Sequence, residues 1–177
     1  QLFKNLLITG RLGFIGINAI DEFINNGNFK NILIVDDLRY DQNIKKLEIL
    51  RNSKVKFFKS DINNSNFILN LLRSNEITHI IHLAAESHVD KSICNPKIFV
   101  DSNILGTFNL LEAFRIHWLE NGKEPDWRFL FMSTDEVFGS LNSNDKKFSE
   151  NSIHKPSSPY SASKSSAEQL IMGWNKT

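Results

Sequence analysis

An apolar run from Leu2 to Ile8 leads into Thr9-Gly10-Arg11-Leu12-Gly13-Phe14-Ile15-Gly16, three glycines at spacing three where a helix begins. A turn this tight needs a residue without a side chain, and a pyrophosphate reaches the amides of a helix N-terminus only where no Cβ intervenes. Alone the pattern is weak, because a bare glycine turn is written with the same letters. A second apolar run ends in Ile34-Val35-Asp36, and Asp36 lies 20 residues after Gly16, where a carboxylate can accept hydrogen bonds from both hydroxyls of an adenosine ribose. Together these point to a dinucleotide cofactor, with Gly10, Gly13, Phe14, Ile15, Gly16 and Asp36 as its first contacts. NAD is favoured over NADP, whose 2′-phosphate would face Asp36 and Asp37; Arg39 close by keeps NADP as the alternative. Asp61 and Ile62 follow a third apolar run, at the edge where an adenine would lie, although Asp61 reads equally as a turn or helix N-terminal carboxylate. A fourth run ends in Leu83-Ala84-Ala85, where small residues leave room for the cofactor.

A fifth run ends in Met132-Ser133-Thr134-Asp135-Glu136-Val137-Phe138-Gly139 and so places a hydroxyl and two carboxylates at the C-terminal edge of a sheet, where ligands bind in open α/β folds. The bland alternative for Asp135 and Glu136 is a solvated strand-end pair. Tyr160 and Lys164 are four apart on a helix, one turn from each other, so the ammonium is expected to lie near the phenol and lower its pKa. Such a tyrosinate can take the proton of an alcohol while the carbon gives hydride to a nicotinamide. Tyr-x-x-x-Lys is common on helix surfaces; Pro159 before it and Ser161, Ala162 and Ser163 within it, in a chain with a dinucleotide fingerprint, give it meaning.

These residues need a frame. Apolar runs rich in Ile, Val, Leu and Phe alternate with stretches whose apolar residues recur at three and four, which means βαβ units. Strands are expected at about 2–9, 31–36, 55–59, 79–83 and 128–133, all apolar on both sides as in a doubly wound parallel sheet. Helices are expected at 14–26, about 66–75, 97–119 and 160–174, with a shorter one at 42–51. Ser140 to Ser158, rich in Asn, Ser, Asp and Lys with two prolines, is a loop with the composition of a mobile one.

At 177 residues and 41% hydrophobic content the chain can bury one sizeable core and reads as a single domain. Its 21 basic and 20 acidic residues give no field for nucleic acid or an anionic membrane. Cys94 is the only cysteine, which excludes an internal disulfide and a cysteine-rich metal site and fits the cytoplasm. The broken run Leu2 to Ile8 is neither a signal peptide nor a membrane span. Gln1 at the start of a strand pattern suggests residues before it.

The blocks Thr9 to Gly16, His82-Leu83-Ala84-Ala85-Glu86-Ser87-His88-Val89-Asp90, Asn103 to Glu112, Ser133 to Gly139 and Pro156 to Lys164, in this order, resemble the extended short-chain dehydrogenase/reductase family, and within it the nucleotide-sugar 4,6-dehydratases. Where Arg11 stands the family usually has a small residue; Arg11 could reach a phosphate. The resemblance implies an NAD-binding Rossmann fold over the whole chain, NAD as a resident cofactor, and a nucleotide-sugar substrate, dTDP-glucose first among the candidates. It also implies roles. Tyr160 would be the base for the sugar 4-hydroxyl, with Lys164 and Thr134 assisting and with Tyr160 and Lys164 also touching the cofactor. Glu136 would remove the C5 hydrogen, Asp135 would protonate the departing 6-hydroxyl, and hydride would return to C6. An elimination of this kind needs an acid and a base at neighbouring carbons, whereas an epimerisation does not. Ser87, His88 and Thr134 would contact the sugar, with loop packing as the alternative for His88 and Asp90. Members of the family continue past the Tyr-x-x-x-Lys helix into a substrate domain, so little turnover is expected of these residues alone. The helices 97–119 and 160–174 would form a homodimer interface.

Other residues read plainly. His79 and His82 point to opposite faces of a strand and make no ligand pair; no metal site is expected. Asn103 and Thr107 face the site or pack the helix. Trp118, Trp127 and Trp174 pack, and Lys146 and Lys147 are solvated. The rivals are an epimerase or a dehydratase of another nucleotide sugar, a non-catalytic dinucleotide-binding module, and an RNA-binding relative, which the charge balance opposes.

Overall fold

A computed structural model describes residues 4–10, 14–39 and 50–176. Five parallel strands, β1 (Asn5–Thr9), β2 (Asn31–Asp36), β3 (Val55–Lys59), β4 (His79–His82) and β5 (Arg128–Phe131), form one sheet in the order β3-β2-β1-β4-β5. The reversal on either side of β1 is that of the doubly wound fold expected from the sequence. The chain divides into two compact units, one of residues 1–84 and 109–132 and the other of residues 85–108 and 133–177.

The first unit holds the sheet. Strand side chains alternate, and because helices cover both faces each set is apolar. Leu6, Ile8, Ile32 and Ile34 pack with Ile20 of α1 (Phe14–Asn26), while Leu7, Leu33 and Val35 pack with Ile68, Leu71 and Leu72 of α2 (Ser65–Ser74) and with Leu110, Ala113 and Phe114. The side chain of Asn64 caps α2 by accepting from the Phe67 amide. Two-sided burial holds for β1 and β2 but not for the edges: in β3 Lys56 and Lys59 are exposed, and in β5 so are Arg128 and Leu130. An edge strand has a neighbour on one side only, so its side chains are covered less completely. His79 packs its ring against Phe29, His82 against Phe129 and Phe131, on opposite faces as the spacing requires.

The second unit contains α3 (Val89–Cys94), α4 (Pro96–Phe99), a π-helical segment (Val100–Leu105), a 3-10 turn (Asp135–Phe138) and α6 (Pro159–Trp174). Between the π-helical segment and residue 120 runs α5 (Gly106–Glu120), and the division between the units falls within it. The single helix expected over 97–119 is therefore interrupted, and α3 was not expected at all. Asn103, in the wide turn, uses its side chain to bind the backbone of Glu86 and the Ser163 hydroxyl, a pull across the helix that accompanies the extra residue per turn. A capping box of Ser158 and Ser161, with Pro159 in the first turn, starts α6 at a defined residue. Residues 140–157 form the expected loop, held at its ends by the Lys155 amide donating to the Val137 carbonyl and by Phe138 stacking edge-on to His154 and against Phe148. The helix expected over 42–51 lies almost wholly outside the described residues, as do Leu2 and Phe3 of the first strand.

Candidate active site

In the first unit the glycine turn is a point of close approach. Gly10 has φ +69°, and a Cβ there would stand 2.3 Å from the Ala84 backbone. The Gly10 amide donates to the Val35 carbonyl and the Leu83 amide to the Thr9 carbonyl, and the Thr9 hydroxyl bonds to His82 Nδ1 at 2.7 Å. The ends of β1, β2 and β4 are thereby locked together. Small residues at 84 and 85 were expected to leave room for a ligand; Ala84 is spent on admitting Gly10, and Leu83 packs into the core of the β1 face. Gly16 is buried in α1, Ile15 is half exposed, the side chain of Phe14 is not among those described, and Gly13 and Arg11 lie outside the described residues.

Asp36 ends β2 with its carboxylate accepting from the Leu38 amide at 2.8 Å, an Asx turn that holds it at the sheet edge and carries Leu38 into positive φ. Asp61 accepts from the Asn63 amide and pairs with Arg39, whose guanidinium also meets Asp37. Arg39 faces two carboxylates, which weakens the case for a 2′-phosphate beside it. Ile62 buries its side chain in the core.

In the second unit, Tyr160 and Lys164 are buried on α6, 8% and 4% exposed. The Tyr160 ring meets Phe99 edge-on, its carbonyl accepts from the Ser163 hydroxyl, and the Thr134 hydroxyl favours its phenolate. Thr134 also caps the 3-10 turn by accepting from the Glu136 amide. Asp135 and Glu136 belong to that turn, since β5 stops at Phe131; Asp135 is exposed and Glu136 half-buried. The 3-10 turn with its cap and the head of α6 therefore bring Thr134, Asp135, Glu136 and Tyr160 together.

The electrostatics correct one expectation. Burial pushes the Tyr160 phenol above its ordinary range, the Thr134 hydrogen bond pulls it back, and the charges of Glu136 and Asp135 push it up again. Proximity in sequence to Lys164 does not by itself give an acidic phenol. Burial lowers Lys164 to about 8, opposed by the charge of Glu168. Ser87 and His88 are exposed just ahead of α3, and Asp90 is exposed in its first turn. Asn103 and Thr107 are buried; the Thr107 hydroxyl donates to the Asn103 carbonyl at 2.6 Å, while the Asn103 side chain reaches Glu86 and Ser163. Trp127 stacks against Phe114 and His117, Trp118 donates to the Glu124 carbonyl, and Trp174 meets Phe108. Among the described residues no group of three or more His, Cys, Asp or Glu is placed to hold a metal ion.

Sequence reasoning missed Glu168, which accepts a hydrogen bond from Ser133 and pairs with His154. Its i,i+4 spacing from Lys164 was the available signal.

The chain is 41% identical over 176 residues to a dTDP-glucose 4,6-dehydratase of Haemophilus influenzae, covering 98% of this chain and 52% of that one. It is 39% identical over 177 residues to one of Neisseria gonorrhoeae, covering 98% and 51%. A crystal structure of the dTDP-glucose 4,6-dehydratase of Streptomyces venezuelae with NAD bound superposes with a TM-score of 0.85 at 31% identity, over 98% of this chain and 52% of that one. A Thermus thermophilus UDP-glucose 4-epimerase in complex with NAD gives 0.81 at 27%, over 97% and 51%. The chain spans about half the length of the curated relatives it matches. Over residues 7–177 it matches the model of the GDP-mannose 4,6 dehydratase family, and to that family the chain belongs.

Proposed function

We propose that the protein is a dTDP-glucose 4,6-dehydratase, a hydro-lyase, and that this chain carries its NAD-binding part. The observation that carries the reading is the gathering of a phenol, a hydroxyl and two carboxylates in one unit: Tyr160 heads α6, and Thr134, Asp135 and Glu136 from the 3-10 turn and its cap all act on its phenol. An oxidation followed by elimination needs a base for an alcohol and an acid–base pair beside it. The relatives at about 40% identity carry that name.

The residues fit the cofactor. Gly10 turns the chain at a sheet edge where no Cβ could be accommodated, and Asp36 presents a carboxylate at the next strand end with Arg39 engaged by acids. Gly10, Gly13, Phe14, Ile15 and Gly16 would hold the pyrophosphate, Asp36 the ribose, Asp61 and Ile62 the adenine, and Ala84, Ala85, Tyr160 and Lys164 the remainder. Bound there, NAD would supply the hydride chemistry, acceptance from C4 of the sugar and return to C6. Tyr160 takes the proton of the 4-hydroxyl, and Thr134 favours the phenolate by donating to it. Glu136 removes the hydrogen at C5, made acidic by the new ketone. Asp135, exposed and able to exchange protons with water, protonates the 6-hydroxyl as it leaves. Ser87 and His88 contact the sugar.

We further infer a homodimer and a cytoplasmic setting. Val100, Leu105 and Met172 are 49%, 46% and 46% exposed, on the π-helical segment and α6, which supports an interface there. A monomeric mass of the full-length protein would exclude it. The lone, exposed Cys94 suits a reducing compartment.

The test uses the full-length protein, incubated with dTDP-glucose in deuterated water. A water-loss product carrying one deuterium establishes dehydration through C5. Return of the sugar unchanged, with other glucose and mannose nucleotides also inert, refutes the enzyme reading and leaves a binding module.

A further inference from the structure

Lys164 is 4% exposed on α6, and an ammonium so placed needs support to stay charged. One turn along the same helix stands Glu168, and its carboxylate is fixed from two directions. Ser133, immediately before Thr134, donates its hydroxyl to Oε1; His154, from the loop ahead of α6, brings Nε2 to 3.4 Å of Oε2. His154 is itself set by Nδ1 bonding to the Ser165 hydroxyl at 2.8 Å. A carboxylate on a flexible side chain has thus been tied to the segment that carries the catalytic threonine and to the start of the helix that carries the tyrosine.

We propose that Glu168, tethered by Ser133 and His154 one helical turn from Lys164, is a positioning residue that keeps the Lys164 ammonium charged for the reaction. The inference deepens the dehydratase reading and rests on it for its catalytic meaning. Of the other charged groups in this unit, Glu86 is buried, with its backbone bound by the Asn103 side chain. Asp135 and Glu136 of the 3-10 turn act on Tyr160, Lys97 of α4 pairs with Asp101 of the π-helical segment, and Asp90 and Lys91 of α3 are exposed. Burial drives Lys164 down to about 8 even with the charge of Glu168 opposing it. Removing its charge should therefore lower the Lys164 midpoint by about one pH unit, a tenfold change in the ratio of amine to ammonium.

The full-length protein labelled with carbon-13 at lysine Cε is titrated by NMR, with K164M assigning the signal. The Lys164 midpoint is expected to fall by about one unit in E168Q, whose amide keeps the hydrogen-bonding shape without the charge, and to return most of the way in E168D. A midpoint in E168Q equal to that of the unsubstituted protein overturns the proposal. If E168Q does not fold, S133A and H154N replace it: both keep the charge and loosen its tether, and an unmoved midpoint in both overturns the proposal equally. With NAD and nucleotide sugar added, the alkaline limb of hydride transfer should move by the same amount as the NMR midpoint; a limb that stays while the midpoint moves refutes the catalytic part. Unsubstituted protein that oxidises no nucleotide sugar sinks the dehydratase reading instead, and the NMR titration then decides the positioning of Lys164 alone.

Discussion

Replacing Gly10 with alanine separates two reasons for a glycine in the first turn. Gly10 has φ +69°, and the added Cβ would meet Ala84 Cα and Ala84 N at 2.3 Å and Leu83 C at 2.7 Å, all of them backbone atoms. The left-handed conformation costs an L-residue roughly 1–2 kcal/mol. Forcing β4 away from the turn costs a further ~1–3 kcal/mol, as overpacking does elsewhere. The neighbours cannot relieve it by a rotamer change, because the Leu83 amide is bonded to the Thr9 carbonyl and the Gly10 amide to Val35. G10A should therefore destabilise by about 2–5 kcal/mol, a large share of the ~5–15 kcal/mol typical of a domain. Gly27 and Gly122 are internal controls, with φ +65° and +79° and nothing within 4 Å of a Cβ. Alanine there should cost only the conformational part, about 1 kcal/mol. The assay is urea denaturation followed by circular dichroism, comparing midpoints at unchanged slope. A G10A loss no larger than that of G27A and G122A would show that the strand ends yield freely, and the packing argument would be wrong.

Lys164, depressed from 10.5 to about 8, contributes stability that is present above 10.5 and lost as pH falls through about 8. Unfolding free energy should accordingly rise by up to about 3 kcal/mol between those pH values, and K164M should abolish that rise and be the more stable protein at neutral pH; parallel pH profiles for the two proteins contradict this. T134V removes the hydroxyl that favours the Tyr160 phenolate, so the acid limb of hydride transfer in the full-length protein should move to higher pH, and a shift to lower pH would reverse the assigned role. S158A deletes the cap that binds the Ser161 amide at 3.0 Å and should cost ~1 kcal/mol in the same urea assay. Loss of the Ser161 hydroxyl in addition should cost less than the sum, because the two side chains cap each other.

The sequence by itself determined the alternation of elements, the parallel doubly wound sheet and the residue types of the site. Runs such as Leu6-Leu7-Ile8 and Ile32 to Val35 are apolar at every position, and only a strand covered on both faces uses such a run. The tight turn at Gly10 and the one-turn spacing of Tyr160 and Lys164 on one helix were legible because they depend on residues a few positions apart. Contacts between distant segments were not legible. The break of the long helix into α4, a π-helical segment and α5 follows the bonds Asn103 makes to Glu86 and Ser163, 17 and 60 residues away. The elevation of the Tyr160 phenol, against the expectation from Lys164, arises from burial and from two carboxylates carried in by a different turn. Glu168 took its place in the site because Ser133 and His154 reach it from 35 and 14 residues away along the chain. Periodicity and spacing encode what lies within a few residues; burial, desolvation and long-range hydrogen bonds exist only once the chain has folded, and they decide which of the candidate groups carries charge and where.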